Sequence, residues 1–135
     1  MCQFEECIAG WNELSGRAGF SPVFHQSRVR AIHLYCVDED DSRRVTLDVA
    51  ITFFAMSSRP GVEQALFECD PVNAVLRFED VVNIEVSGFN HCNDLNRLEI
   101  SEQTTPEIRS RHYMVTFVPG YGMASSFRCF SISVS

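Results

Sequence analysis

Five polar or reactive side chains follow one another in the stretch VSGFNHCNDLNRL: Asn90, His91, Cys92, Asn93 and Asp94. A thiol next to an imidazole could supply a nucleophile and its base, provided that a third group orients the imidazole. The same two groups are ligands that zinc prefers. Asparagine and aspartate, in contrast, are residue types that bond to the backbone of turns. The stretch could therefore serve catalysis, metal binding, partner binding or the local structure of a turn.

A cysteine nucleophile is the least favoured of these possibilities. His91 and Cys92 are adjacent, and adjacent side chains in an extended chain point to opposite faces. Cys92 could instead meet His25 or His112 across the fold, which the sequence leaves open. Because an isolated thiol is more often inert than reactive, we expect no catalytic residue. A cysteine-dependent hydrolase is kept only as an alternative.

The spacing of the candidate ligands also argues against a metal site. Structural zinc sites use Cys-x-x-Cys pairs, and the sequence contains none. His33 and Cys36 are three residues apart, an offset that places them on opposite faces of a strand. The acidic run at 38–41 lacks the glycine and the distal glutamate of an EF-hand calcium loop. We expect neither a metal nor another cofactor. The run predicts an exposed hairpin turn whose carboxylates could bind a basic partner: Asp38, Glu39, Asp40 and Asp41.

Composition and charge narrow the possible partners. The chain has 135 residues, of which 45% are hydrophobic, and this fits a single domain over residues 1–135. Its 18 acidic and 11 basic residues give a net charge of -7, and the basic residues are scattered. We expect no nucleic-acid partner, because such binding needs clustered positive charge. An acidic surface instead favours a basic protein partner. All the basic residues are arginine, which excludes lysine chemistry such as a Schiff base.

The compartment can be inferred from the N-terminus and the cysteines. The opening MCQFEECIAGWNELSG carries Glu5 and Glu6, where a signal peptide needs positive charge. The longest uncharged span, residues 112–127, is interrupted by Pro119 and Gly120, so we expect no transmembrane helix and no membrane partner. The six cysteines are then expected to be free thiols, mostly buried, in a cytoplasmic protein.

The elements that position these side chains are predicted mainly from alternation with period two. In VTLDVAITFFAM the apolar residues from Val45 to Phe53 share one face, which predicts a half-buried strand. The preceding SRVRAIHLYCV is also typical of a strand, and DEDDSRR predicts a hairpin connection. NAVLRFEDVVNIEVSG predicts two short strands, with three side chains inward: Val82, Ile84 and Val86.

The C-terminal third repeats the pattern. It predicts one strand with Tyr113, Val115 and Phe117, then PGYG, then a last strand with Phe130, Ile132 and Val134. Only residues 3–15 are expected to form a helix, which would end before Gly16. The prediction is a mainly β (α+β) fold: an antiparallel sheet, sandwich or half-barrel of about eight strands with a short N-terminal helix.

Three blocks of the chain carry a resemblance to a known family. They are GFSPVFHQSRV at 19–29, LRFEDVVNIEVSGFNHCNDLNRLEI at 76–100 and VTFVPGYGMASSFRCFSISV at 115–134. In this order they resemble the immunity protein 50 family of bacterial polymorphic toxin systems. The positions that carry the resemblance are Phe24, His25, Gly88, Phe89, Asn90, His91, Asn93, Tyr121, Gly122, Phe127 and Cys129. The resemblance implies a cytoplasmic, non-catalytic protein that binds and neutralises a cognate toxin domain.

We interpret all of these motif residues, including Phe24, His25 and the PGYG segment at 119–122, as structural rather than as toxin contacts. Gly88 can take a left-handed conformation where its strand ends, and Phe89 can then enter the core. Asn90 and Asn93 can replace the hydrogen bonds that the strand loses there. His91 could be an interior imidazole or a contact, and we expect the former. A small ligand-binding β domain is the main alternative function, and the oligomeric state is left open.

Overall fold

A computed structural model describes residues 3–20, 22–39, 42–54, 71–105 and 108–135. The described part holds two short helices and nine strands. The helices are α1 Phe4–Cys7 and α2 Trp11–Ala18. The strands are β1 Ile8–Ala9, β2 Arg28–Glu39, β3 Ser42–Phe53, β4 Val72–Glu79, β5 Val82–Ser87, β6 Asp94–Thr105, β7 Ile108–Tyr121, β8 Ala124–Cys129 and β9 Ser131–Val134.

All nine strands belong to one open, mixed sheet in the order β1-β9-β4-β3-β2-β6-β7-β8-β5. Only β1 and β9 are parallel. The neighbours β2 and β6 are paired at a single position, Arg28 with Asp94. The sheet therefore consists of two halves that are joined at this corner. The first half holds β1, β9, β4, β3 and β2, and the second half holds β6, β7, β8 and β5. The predicted mainly β fold with an N-terminal helix is confirmed, and β1 is too short for alternation to reveal.

The two halves face each other across the core. The ring centroid of Phe78 in β4 lies 5.9 Å from that of Phe117 in β7 and 4.9 Å from that of Phe127 in β8. Phe130 alone separates β8, which pairs with β7, from β9, which pairs with β4. The segment formed by β8 and β9 therefore bends at Phe130 and belongs to both halves of the sheet, which stays open.

The alternation predicted for β3 is confirmed. Leu47, Val49, Ile51 and Phe53 are buried, and Val45 is half-buried at the hairpin end. Each of these large side chains contributes roughly 1.5–3 kcal/mol through its removal from water. The helices are held to the end of this strand by a cluster of four aromatic rings, in which Trp11 and Phe24 each contact the other three: Phe4, Trp11, Phe24 and Phe53.

The single helix expected over residues 3–15 is wrong in detail. The helical segment is broken at Gly10, which has a left-handed φ of 87°, because Ile8 and Ala9 pair with β9 instead. The second helix then continues through Gly16 and ends at Gly19, whose N–H donates to the backbone oxygen of Ser15. The break between α1 and α2 is therefore decided by the pairing of β1 with the sheet, which helical propensity cannot predict.

The inward orientation predicted for Val82 and Val86 is also wrong, since both side chains are exposed. In the described part of the chain, β5 pairs only with β8, so it is an edge strand. Asn83 has a positive φ of 55°, and the register shifts between Val82 and Glu85. This bulge breaks the period of two on which the prediction depended.

Two smaller differences concern the C-terminal third. The segment PGYG does not separate the strands as predicted, because its first three residues complete β7. Phe130 is exposed between β8 and β9 rather than inside the last strand. The remaining predicted inward residues there are buried: Tyr113, Val115, Phe117, Ile132 and Val134.

The predicted hairpin between the first two long strands is confirmed. Glu39 is paired with Ser42, and the two acidic residues between them, Asp40 and Asp41, lie outside the described residues. Asp38 is exposed and lies 3.6 Å from the Nε atom of Arg43. No helix in the described ranges is long and apolar enough to cross a membrane.

A hydrogen-bonded charge pair connects β3 and β4 on the outer face of the first half. The Nε atom of Arg77 donates to Oδ1 of Asp48 at 2.9 Å, and a second guanidinium nitrogen donates to Oδ2 at 3.2 Å. The Tyr35 hydroxyl also donates to Oδ2, at 3.1 Å. Hydrogen bonding by Arg77 holds the pKa of the Asp48 carboxyl below its usual value.

Candidate functional site

The three motif blocks, which are far apart in sequence, meet at the corner where β2 and β6 are joined. The N–H of Val29 donates to the backbone oxygen of Asn93 at 2.9 Å, and the N–H of Leu95 donates to that of Ser27 at 2.9 Å. The N–H of Met123 donates to Oδ1 of Asn93 at 3.1 Å. Backbone bonds thus connect the first block to the middle one, and the Asn93 side chain connects the middle block to the third.

Asn93 holds this corner together. Its side chain is buried, with 3% of the residue exposed. Besides the bond from Met123, Oδ1 accepts the N–H of Asn90 at 3.0 Å, while Nδ2 donates to the backbone oxygen of Asn90 at 2.8 Å. Asn90 in turn accepts the N–H of Cys92 at 2.9 Å and donates to the oxygen of Gly88 at 3.3 Å. Both asparagines therefore bond within their own turn, and Asn93 also bonds to Met123.

Two glycines allow the backbones at the corner to approach closely. Gly88 ends β5 with a φ of 71°, as predicted, and Gly122 has a φ of 92°. A methyl group on Gly122 would lie 2.5 Å from the backbone oxygen of Cys92 and 2.7 Å from Oδ1 of Asn93. One on Gly88 would lie 2.6 Å from the backbone oxygen of Gly122. Only residues without a side chain fit these two positions.

The two large side chains of the motif lie outside, contrary to expectation. Phe89 is 43% exposed rather than buried in the core, and His91 is exposed rather than interior. The glycine backbones and the Asn93 amide occupy the inside of the corner, which leaves no room there for a ring. The motif therefore combines a buried scaffold with an exposed aromatic surface.

A cleft of about 580 Å³ lies beside the corner. Its walls come from the first and middle blocks, from the end of β7 and from the residue that follows β3. They include polar side chains and two aromatic rings: His25, Gln26, Arg28, Asp94, Asn96, Phe54 and Tyr121. Of the motif residues, His25 and Tyr121 line the cleft, and Tyr121 is 56% exposed.

Contacts within the cleft walls fix several of these groups in place. The Nε atom of Arg28 donates to Oδ1 of Asp94 at 3.1 Å, which raises the pKa of the guanidinium. The guanidinium carbon lies 5.8 Å from the ring centroid of Phe54, within the range of a cation–π interaction. The Nδ1 atom of His25 lies 3.1 Å from the backbone oxygen of Asn96. The cleft walls are thus partly ordered before anything binds, and they offer hydrogen-bonding groups next to aromatic surface.

The cysteines and the other histidines do not assemble around this cleft. The Cys92 thiol is half-buried and contacts Oδ2 of Asp94 at 3.6 Å. His112 is buried against the ring of Phe130, and neither ring nitrogen has a hydrogen-bond partner in the described part of the chain. Within the same ranges, no group of three or more candidate ligands could hold a metal ion.

The remaining motif residues belong to the core. Phe24 and Phe127 are buried, and so is Cys129, where burial raises the pKa of the thiol to about 12. In the described ranges Cys36, Cys92 and Cys129 carry free thiols, but the cysteines are less buried than expected. Cys7 and Cys129 are buried, whereas Cys36 is exposed.

No family model, curated protein or solved structure matches the chain. The resemblance to the immunity protein 50 family therefore stays a prediction, carried by the motif residues alone.

Several residues of the cleft could not be identified from sequence as part of a site: Gln26, Arg28, Phe54 and Asn96. Gln26 directly follows the motif residue His25, and the other three have no such position next to a motif residue. Gln26 has a left-handed φ of 65°, which is uncommon for a residue with a side chain. The pairing of Arg28 with Asp94 depends on two strand starts that lie far apart in sequence.

Proposed function

We propose that this chain is an immunity protein that binds and neutralises a cognate toxin domain in the cytoplasm, without catalytic activity of its own. The main support is that the three blocks resembling that family build one corner, held by Asn93, with a cleft beside it. Because the three blocks build one corner, a single binding surface can account for all three of them. If each block served only its own turn, they would not need to meet.

The exposed side chains around this corner are suited to protein recognition. Phe89, His91 and Tyr121 are exposed on backbone that the buried Asn93 network holds. Aromatic side chains on ordered backbone provide much of the binding energy at protein interfaces, because they bury a large area at little entropic cost. In this proposal the toxin packs on these rings and inserts a side chain into the cleft.

The charge of the chain would direct the encounter. With a net charge of -7, the protein attracts a basic toxin domain and accelerates its association at low salt. Asp38 and Glu39 at the hairpin are exposed and contribute to this field. Inhibition would be stoichiometric, by covering the active site of the toxin or a surface that it requires.

Co-expression with the toxin domain encoded by the neighbouring gene tests the proposal. We expect growth to be restored and a one-to-one complex to form. Tyr121→Ala and His91→Ala should each weaken the complex at least about tenfold, while the melting temperature stays the same because both side chains are exposed. Val82→Ala is the matched control, since Val82 is exposed on β5, outside the cleft and the corner.

Two results would contradict the proposal at different levels. If the unaltered chain neither restores growth nor forms a complex, the function is wrong. If it does both, but the Tyr121 and His91 variants bind as tightly as the Val82 control, the contact surface lies elsewhere.

A second candidate function is binding of a small molecule, and the cleft favours it. Its volume of about 580 Å³ lies within the range of ligand pockets, which combine apolar walls with a few polar groups. Native mass spectrometry of the freshly purified chain distinguishes the two functions. A bound metabolite that is lost in the Tyr121→Ala variant would select this second function.

A further inference from the structure

The longest exposed edge of the sheet belongs to β2. This strand has β3 on one side over its whole length, whereas on the other side β6 reaches only Arg28. The two strands are antiparallel and meet at the first residue of each, so they extend away from each other. From Ala31 to Glu39, β2 therefore has no strand beside it in the described part of the chain.

This edge is apolar and regular. Leu34 is 47% exposed and Cys36 is also exposed. The register with β3 shifts between Val29 and Ala31 and then continues without interruption to Glu39. Proteins usually protect long edges with lysine, proline or a bulge within the strand. Here the bulge lies at the start of the strand, and the segment AIHLYCV that follows contains none of these features.

We propose that β2 pairs with β2 of a second copy of this chain, antiparallel, with the two-fold axis at Leu34. In this register Leu34 lies opposite Leu34 of the second copy, and Ile32 lies opposite Cys36. Arg30 lies in the bulge that precedes this regular run and is paired with no residue of β3; its long side chain can reach Asp38 of the second copy, and the symmetry creates this pair twice. The two sheets then become continuous across the interface, and the partly exposed apolar side chains of both edges are covered.

The charges favour a second copy over another protein as the occupant. Arg30 is exposed and has no ion pair within the described residues. Asp38 has only the long contact to Arg43, in which both side chains are more than three-quarters exposed. Moving the axis to Cys36 would put Asp38 opposite Leu34. An axis at Leu34 instead brings the end of β2 that carries Arg30 next to the end of the second copy that carries Asp38, so the charges of the edge complement those of a second copy.

Sedimentation equilibrium of the full chain tests this pairing independently of the proposed toxin. We expect a reversible dimer. Asp38→Arg and Arg30→Asp should each weaken dimerisation at least about tenfold, and the chain carrying both changes should recover it, because the pairs are restored with the charges exchanged. Glu85→Arg, on the other exposed edge strand β5, is the control and should dimerise like the unaltered chain.

Cross-linking provides a second measurement. Leu34→Cys in a Cys36→Ser background places two thiols next to each other at the axis, so a short bis-maleimide should link two chains. The Cys36→Ser chain without the added thiol should not be linked. Thermal melts verify that each variant is folded.

Several outcomes would overturn the pairing. One is a chain that stays monomeric at all concentrations. Others are a dimer that tolerates both single charge reversals, a double variant that fails to recover, and equal cross-linking with and without the thiol at 34. A monomeric chain whose toxin binding is lost on Asp38→Arg would assign the β2 edge to the toxin instead.

Discussion

Removal of the Asn93 side chain tests whether one buried amide holds the corner together. Asn93→Ala deletes three hydrogen bonds: those to the N–H groups of Asn90 and Met123, and that to the backbone oxygen of Asn90. Met123 is 2% exposed, so water cannot easily replace the bond that its N–H loses. The Asn90 backbone is at the surface, where water can replace much of what is lost.

The expected magnitude follows from these environments. A buried N–H without a partner costs about 1–3 kcal/mol, and each of the two outer bonds contributes roughly 0.5–1.5 kcal/mol before water compensates. We therefore expect the free energy of unfolding to fall by about 2–4 kcal/mol. For a domain of this size, that lowers the melting temperature by roughly 6–12 °C.

Asn90→Ala is the matched control, because it removes the same side chain from the same turn at an exposed position. Its two bonds, to Cys92 and Gly88, are both solvent-accessible, so the loss should be about 1 kcal/mol. Urea unfolding followed by fluorescence of the single tryptophan measures both variants. Equal destabilisation of the two, or normal stability of Asn93→Ala, would refute the assignment of the corner to Asn93.

Three further predictions follow. Gly122→Ala should lower the free energy of unfolding by about 3 kcal/mol or more, because strain at a positive φ adds to the clash with the backbone. Gly16→Ala is the contrasting variant, since no atom lies within 4 Å of the added methyl group. It should raise the free energy of unfolding by roughly 0.5–1 kcal/mol, because alanine favours the helix. In the folded protein at pH 8, at a concentration low enough to keep the chain monomeric, iodoacetamide should label Cys36 but not Cys129, whose buried thiol has a pKa of about 12; peptide mapping that finds Cys129 labelled at a similar rate would contradict this. Hydrogen bonding by Arg77 lowers the pKa of Asp48 in the folded state below its ordinary value of 3.8. The stabilisation from this pair is therefore present above pH 3.8 and is lost as the pH falls through the lower pKa of the folded state. Asp48→Asn should be clearly less stable than the unaltered chain at pH 7 and differ less from it at pH 2.5, and a difference independent of pH would exclude the ion pair as its cause.

The sequence predicts an element well where one face of that element is buried. In β3 the alternating residues from Leu47 to Phe53 lie on the core, so the hydrophobic pattern and the structure have the same cause. In β5 that cause is weak, because this edge strand with a bulge packs only the partly buried Ile84 against the core. Val82 and Val86 then follow the alternating pattern without burial.

The corner was predictable only in its local bonds. Asn90 and Asn93 bond within their own turn, and residue type is enough to suggest that. The bond from Met123 and the contact between Gly88 and Gly122 join segments far apart in sequence. No local pattern contains them, and the outward positions of Phe89 and His91 depend on that long-range contact.

The cleft illustrates the same limit for function. Arg28 and Asp94 become neighbours because β2 and β6 each begin at the corner. Their charges are visible in the sequence, but the sequence does not contain the pairing of the two strands. A site assembled from strand ends requires the topology before its residues can be named.

The parallel pairing of β1 with β9 has a consequence for synthesis on the ribosome. Ile8 is paired with Ile132, and Ala9 with Ser133, so nearly the whole chain must be translated before the first strand finds its neighbour. At translation rates of roughly 5–20 residues per second, this delay is on the order of ten seconds. During it, the apolar side chains near the N-terminus, Ile8 and Trp11 among them, lack part of the core that later buries them. The N-terminal elements should therefore complete their packing only after β9 has left the exit tunnel.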